Sequence, residues 1–284
     1  MIAALFLMPM FRVVSVGVAL AVVISVGAAR AAPTLAIGFG IVLVAGMVSP
    51  VDPNALIVYV AAVVIGTLAV GEMLRRSESL TLTIQLSLLI ALVAGIGFQL
   101  SIGDQTAFWL PRLLEMVELL REMGSLDNDI DETLLVQRLQ TGVPLASGFF
   151  IASQWYFAVV ALAIGYYVFD QGRDEARARF GRFRDLNLGR VLAMLLVLLA
   201  VAAALTGSLL LTNLAAVALL GFGLQGLALL HWARHHFGWS PLVLVIGYMA
   251  VIPVQPYGVL LICVVGYVDA WFDLVRARKG GATN

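Results

Sequence analysis

Four groups in this sequence have residue types and spacings that could do chemistry. His231, His235 and His236 stand in His-Trp-Ala-Arg-His-His. His231 and His235 share a helix face at i, i+4, as two zinc ligands would. A zinc-protease helix needs Glu directly after the first His, and Trp232 stands there. The run reads as an interfacial Trp/His/Arg cluster at a span end, not as a metal site. Asp127-Asn128-Asp129-Ile130-Asp131-Glu132 has the composition of a calcium loop. Its spacing fails, because the sixth position is Glu132 rather than Gly and the twelfth is Arg138. It reads as a solvated acidic turn capping a helix over 131–140. Gly221-Phe222-Gly223-Leu224-Gln225-Gly226 fits G-x-G-x-x-G, but its glycines lie inside one continuous apolar run. A dinucleotide fingerprint needs a strand before it and a helix after it. Finally, Asp269, Asp273 and Arg276 form one stripe three to four residues apart.

That stripe is the most informative of the four. Counted from Pro256, Asp269 lies about 20 Å along its helix, still within a hydrocarbon core. A carboxylate there is costly, and marks either function or a structural ion pair. The structural alternative pairs Asp273 with Arg276 and Asp269 with Arg234 or His231. A second group is uncharged. Gln99, Gln154, Trp155, Asn213, Tyr248 and Gln255 come from different apolar runs, on what the span order makes the outer half. If they converge they line an amide- and aromatic-walled pocket for a small neutral or weakly cationic ligand. Otherwise they make interhelical hydrogen bonds, each contributing about 0.6–2 kcal/mol.

The elements that must position these groups are membrane spans. The chain has 284 residues, 62% hydrophobic and 12% charged, with a mean hydropathy of +1.01. Soluble domains run at roughly 45–50% apolar and 25% charged. Net formal charge is zero, so no basic field points to nucleic acid. The single cysteine, Cys263, can form neither an intrachain disulfide nor a metal site by itself. No nucleophile elbow, no Walker loop and no carboxylate pair beside a nucleophile occurs. An enzyme is therefore not expected, nor is a cofactor.

Apolar runs fall at 11–29, 32–50, 54–73, 79–101, 144–169, 188–209, 211–232, 240–254 and 257–275. The last two are split by Pro253 and Pro256, which favour a hairpin turn. The expected fold is all-α: an integral membrane protein, a polytopic bundle of about nine (eight to nine) transmembrane helices. It is expected to be a single membrane domain over 1–284. The Arg-rich connection 170–190 belongs on the cytoplasmic side. Alternation then puts Arg30, Arg75, Arg76, Arg234 and the tail Arg276, Arg278 and Lys279 there too. The turns at 51–53, 210–212 and 253–256 hold no Lys or Arg and face outward. This places the N-terminus outside, the C-terminus inside, and the whole in a bacterial inner membrane. Arg12 is the awkward residue. Arg12 before an apolar stretch and Ala29-Arg30-Ala31 also resemble a signal peptide. Cleavage there would reverse the Arg-rich loop, so the first span is expected to stay.

Residues 102–143 are the sizeable extramembrane loop. Pro111 is expected to open a helix. Leu113, Leu114, Val117 and Leu120 make its apolar stripe, with Glu115, Glu118 and Glu122 mostly opposite. An acidic amphipathic helix over the outer face fits. The run 211–232 is expected to be the buried centre of the bundle. Ala218, Gly221 and Gln225 share one face, a small-residue seam of the kind helices use to approach in lipid.

The C-terminal part also resembles a known family. Its segments are Arg182-Phe183-Arg184-Asp185-Leu186-Asn187-Leu188-Gly189-Arg190, then Asn213 with Leu224-Gln225-Gly226-Leu227-Ala228. Gly266-Tyr267-Val268-Asp269 follows, and then Arg276. Their order is similar to that in the YybS-like family of bacterial multi-pass membrane proteins, over roughly 140–279. The resemblance implies a fold grouped with the substrate-binding S components of energy-coupling-factor transporters and with the rod-shape protein MreD. It marks Asn213, Gln225, Gly226 and Asp269 as family-like positions. Two functions follow as expectations. One is a small-molecule-binding or transport component embedded in the lipid bilayer, with any ATP drive supplied by partner subunits. The other is a non-catalytic scaffold whose 170–190 loop docks membrane or cytoplasmic protein partners.

Overall fold

The computed structural model describes residues 2–46, 53–124, 132–170, 179–251 and 257–272. Every regular element among them is helical. In chain order these are α1 (Ile2–Val26), α2 (Ala28–Gly46), α3 (Pro53–Ser77), α4 (Leu80–Ile102), α5 (Gln105–Glu122) and α6 (Glu132–Asp170). Then come α7 (Gly189–Thr206), α8 (Leu209–His236), α9 (Leu242–Val251) and α10 (Tyr257–Phe272), with a short 3-10 turn at Phe183–Asp185 before α7. Five helical stretches are long and apolar enough to cross a membrane: Leu56–Ser77, Leu80–Ile102, Leu134–Asp170, Gly189–Thr206 and Leu209–His236. Arg12–Val26, Ala28–Val44 and Tyr257–Phe272 are shorter apolar stretches, in α1, α2 and α10.

Two boundaries differ from the sequence expectation. α5 opens at Gln105, not at Pro111, because Asp104 caps it: its Oδ1 accepts from the backbone N–H of Thr106 and Ala107. Pro111 lies inside the helix. The helix expected at 131–140 and the span expected from 144 are one helix, α6, which runs through Pro144. The acidic run 125–131 lies outside the described residues.

The described chain divides into two compact units. The first comprises 1–87 with 154–186, the second 88–153 with 187–284, and α4 and α6 contribute to both. In the first unit α1 and α2 pack against α3. Ala19, Val23, Ala31 and Leu35 form a buried cluster there. Gly165 lets backbones meet, since a Cβ on it would lie 2.7 Å from the carbonyl oxygen of Gly17. The Arg12 guanidinium lies over the Phe157 ring at 4.4 Å and hydrogen-bonds the Tyr59 hydroxyl. An arginine in an apolar helix is thereby accommodated by aromatic partners. Glu72 receives the backbone N–H of Ala28 at 3.0 Å, Arg75 through Nε and Nη2, and Arg76 through Nε. A carboxylate thus sits at the N-terminus of α2, where the helix dipole favours it.

The second unit is built around α8. Eleven of its residues are buried, from Asn213 to Ala228, and α10, α7 and α9 all pack on it. Its start is set locally: Gly207, at φ 65°, ends α7 in a left-handed cap, and Ser208 then caps α8 through the Leu211 N–H.

Candidate functional site

The site grows from one close crossing of helices. α8 and α10 meet where glycines face each other's backbone. A Cβ on Gly266 would lie 2.0 Å from the carbonyl oxygen of Phe222, and one on Gly226 would lie 2.2 Å from that of Ile262. Only hydrogen fits at either position. On α10 the buried residues Gly258, Cys263, Gly266, Asp269 and Ala270 share one side of the helix, with Cys263, Gly266 and Asp269 three apart along it. The next turn after Gly266 therefore delivers Asp269 against α8.

Gln225, beside Gly226, meets it. The Gln225 Nε2 donates to Asp269 Oδ2 at 2.7 Å, and both residues are buried, at 0% and 2% exposure. The other end of the same amide accepts the backbone N–H of Leu188 at 2.8 Å. Leu188 precedes α7, where backbone N–H groups lack intrahelical partners. One glutamine thus joins the start of α7, the middle of α8 and α10. Arg190 Nη2 also ties α7 to α10 by donating to the Trp271 carbonyl at 3.2 Å. A hydrogen bond to a charged group contributes about 1.5–3 kcal/mol. The effective penalty for a buried ion is several kcal/mol. A buried carboxylate therefore depends on the hydrogen bonds and charges around it.

The remaining polar residues are distributed rather than gathered. Asn213 is fully buried and staples α6: its Nδ2 donates to the Pro144 carbonyl at 2.7 Å and its Oδ1 accepts the Gly148 N–H at 2.6 Å. Those two groups are the pair a regular helix bonds together. A Cβ on Gly148 would lie 2.8 Å from Asn213 Oδ1, so the glycine admits the amide. Tyr248 does not join Asn213. Its hydroxyl lies 2.7 Å from His231 Nε2. His231 is eighteen residues further along α8, about 27 Å. Gln99 bonds Gln105 of α5. Trp155 donates its indole N–H to Ser87 Oγ at 2.9 Å within the first unit, and Gln154 beside it is half-buried. Gln255, Asp273 and Arg276 lie outside the described residues.

His231 therefore faces Tyr248, while Trp232 stacks on His236 at 4.8 Å. Among the described residues no three metal-ligating side chains gather. Arg234 keeps a buried Nε without a hydrogen-bond partner among the described residues.

Sequence reasoning reached Gln225 and Asp269 but not Gly266 or Leu188 as their partners. The signal for Gly266 was present in its spacing, three residues before Asp269 on one face. Comparison with family models, with curated proteins and with solved structures finds no match.

Proposed function

We propose that this chain is a polytopic protein of a bacterial inner membrane that binds or carries a small neutral or weakly cationic solute. Asp269 and Gln225 are the charged and polar groups of its path. The observation that supports this is a carboxylate at 2% exposure inside an apolar helix crossing, hydrogen-bonded by a neutral amide. An ionisable group inside an apolar span marks by default a place on a path for a solute, a proton or a cation. Nine crossings, the N-terminus outside and the C-terminus inside agree with the charge distribution of the loops.

The scaffold reading has less support. At the described end of the Arg-rich loop, Arg179 Nε pairs with Glu78 at 2.7 Å, and Phe180 is buried against Tyr166 and Phe169. These groups are engaged in packing the first unit.

Thermal-shift screening of the purified protein tests the reading, using neutral vitamins and small organic cations. A ligand at a hundred times its Kd stabilises by about 2.7 kcal/mol. At least one compound should raise the melting temperature of the wild type and not that of Asp269→Asn. A panel without effect, or equal shifts in both proteins, refutes the reading.

A further inference from the structure

The far end of α8 carries a basic and aromatic cluster with no part in the Asp269 path. α8 has 28 residues and is about 42 Å long, against about 30 Å of hydrocarbon in a bilayer. With its buried stretch Asn213–Ala228 centred in that layer, His231 to His236 reach the headgroups. The sequence over 186–268 holds Arg190, Arg234 and the three histidines of the chain, and no Asp or Glu. Arg190 donates to the Trp271 carbonyl. Arg234 is half-buried and makes no ion pair among the described residues. His231, Arg234 and His235 stand on one helix face, three to four residues apart. The opposite end of α8, Ser208-Leu209-Leu210-Leu211-Thr212, is uncharged.

Aromatic rings are fixed beside this stripe by the turn that follows it. Gly238, at φ 66°, reverses the chain, and the Trp239 N–H donates back to the Arg234 carbonyl at 2.9 Å. That bond closes a Schellman turn. It brings the stacked Phe237–Trp239 pair, 5.0 Å apart, next to the cations. The two rings are 51% and 44% exposed. Leu242, Val245, Ile246 and Met249 then run along α9 at helical spacing, each more than half exposed. No charged residue occurs over 240–256.

We infer that the α8–α9 turn binds the headgroup of an anionic glycerophospholipid. The Arg234 guanidinium takes the phosphate oxygens and His235 adds a ring N–H. Phe237 and Trp239 lie at the level of the glycerol esters, where amphipathic rings settle. An acyl chain follows the exposed stripe of α9. Charge decides the class of ligand, because the stretch brings cations to the headgroup layer and no carboxylate of its own. The stripe decides the source, because a free phosphate ester supplies the charge but not the chain. The inference goes beyond the Asp269 reading and needs only that α8 spans the membrane.

The test uses the full chain in phosphatidylcholine nanodiscs. These carry a minor fraction of brominated phosphatidylglycerol or, as comparator, the same fraction of brominated phosphatidylcholine. Bromine quenches nearby tryptophan emission, and the Trp239 signal is the difference between each protein and its Trp239→Phe version. Phosphatidylglycerol should quench Trp239 more strongly than phosphatidylcholine. Arg234→Gln should reduce that preference about fivefold, the effect of one cation near an anionic surface. Arg112→Gln, which removes a cation stacked on Phe108 of α5, should keep it. Glycerol 3-phosphate in the buffer should not restore the emission. Equal quenching by the two lipids overturns the inference, as does full preference in folded Arg234→Gln. Loss of preference in Arg112→Gln overturns it too, by assigning the effect to net charge. Relief by glycerol 3-phosphate would make a free phosphate ester the ligand and overturn the lipid. If Arg234→Gln does not fold, His235→Gln combined with His236→Gln decides in its place, since both side chains are exposed. Unchanged preference in that protein overturns the inference.

Discussion

Gly266→Ala is the sharpest perturbation of the α8–α10 crossing. The added Cβ would start 2.0 Å from the Phe222 carbonyl oxygen and 2.6 Å from the Gly226 nitrogen. Carbon–oxygen contacts between helices settle at about 3.3 Å, so the two backbones must part by about 1.3 Å. Neither neighbour is a flexible side chain that could swing away. The same movement stretches the 2.7 Å bond from Gln225 to Asp269 to about 4 Å, beyond hydrogen-bonding range. Overpacking costs about 1–3 kcal/mol, and loss of a bond to a charged group costs about 1.5–3 kcal/mol. The sum is about 3–6 kcal/mol. Gly97→Ala is the internal reference, because nothing lies within 4 Å of a Cβ there. It should be neutral or stabilising by up to about 1 kcal/mol through helix propensity. Reversible unfolding of both variants in detergent micelles, followed by circular dichroism, compares them. Equal stability of Gly266→Ala and Gly97→Ala would refute the backbone crossing.

Asn213→Leu removes both bonds of the α6 staple and should cost about 2–4 kcal/mol, read as a lower melting temperature; Gly148→Ala should lower it too, since its Cβ meets the Asn213 amide. Trp155→Phe loses the bond to Ser87 and part of a buried ring, and should cost about 2–4 kcal/mol by the same measurement. Glu72→Gln weakens the hold on the start of α2, and hydrogen exchange at the Ala28 amide should speed up severalfold while α8 amides keep their protection.

Much of this architecture was legible because hydrocarbon limits what a sequence can do. The run 211–232 carries glycines and amides in a stretch long enough to span, so its burial at the centre of a helix group follows from composition. α8 is that helix. Asp269 stood out for the same reason: a carboxylate in an apolar run must be inward-facing. Partners were harder to read. A side chain's partner depends on which helices touch, and no periodicity states that. Asn213 and Tyr248 both lie in apolar runs, which left open whether they converge on one pocket or bond separately; one staples α6 and the other meets His231. Gly266 was visible only as part of a short segment, because a glycine's close approach is a property of two helices. The α5 boundary was misplaced for a local reason. Pro111 is a strong start signal, but Asp104 offers a carboxylate to two free N–H groups seven residues earlier, and Pro111 is tolerated within. α6 passes through Pro144 likewise, with Asn213 engaging the Pro144 carbonyl.

The central claim is that Asp269 exchanges a proton or cation rather than serving as a fixed strut. A hydrophobic carbodiimide modifies protonated carboxyls that it can reach from the membrane. The measurement is mass-spectrometric mapping of the adduct in membranes, as a function of pH and of any solute found to stabilise the protein. Labelling at Asp269 that rises as pH falls and is suppressed by the solute is the predicted result. An Asp269 that stays unlabelled at every pH in the folded protein, but reacts once the chain is unfolded in detergent, contradicts it.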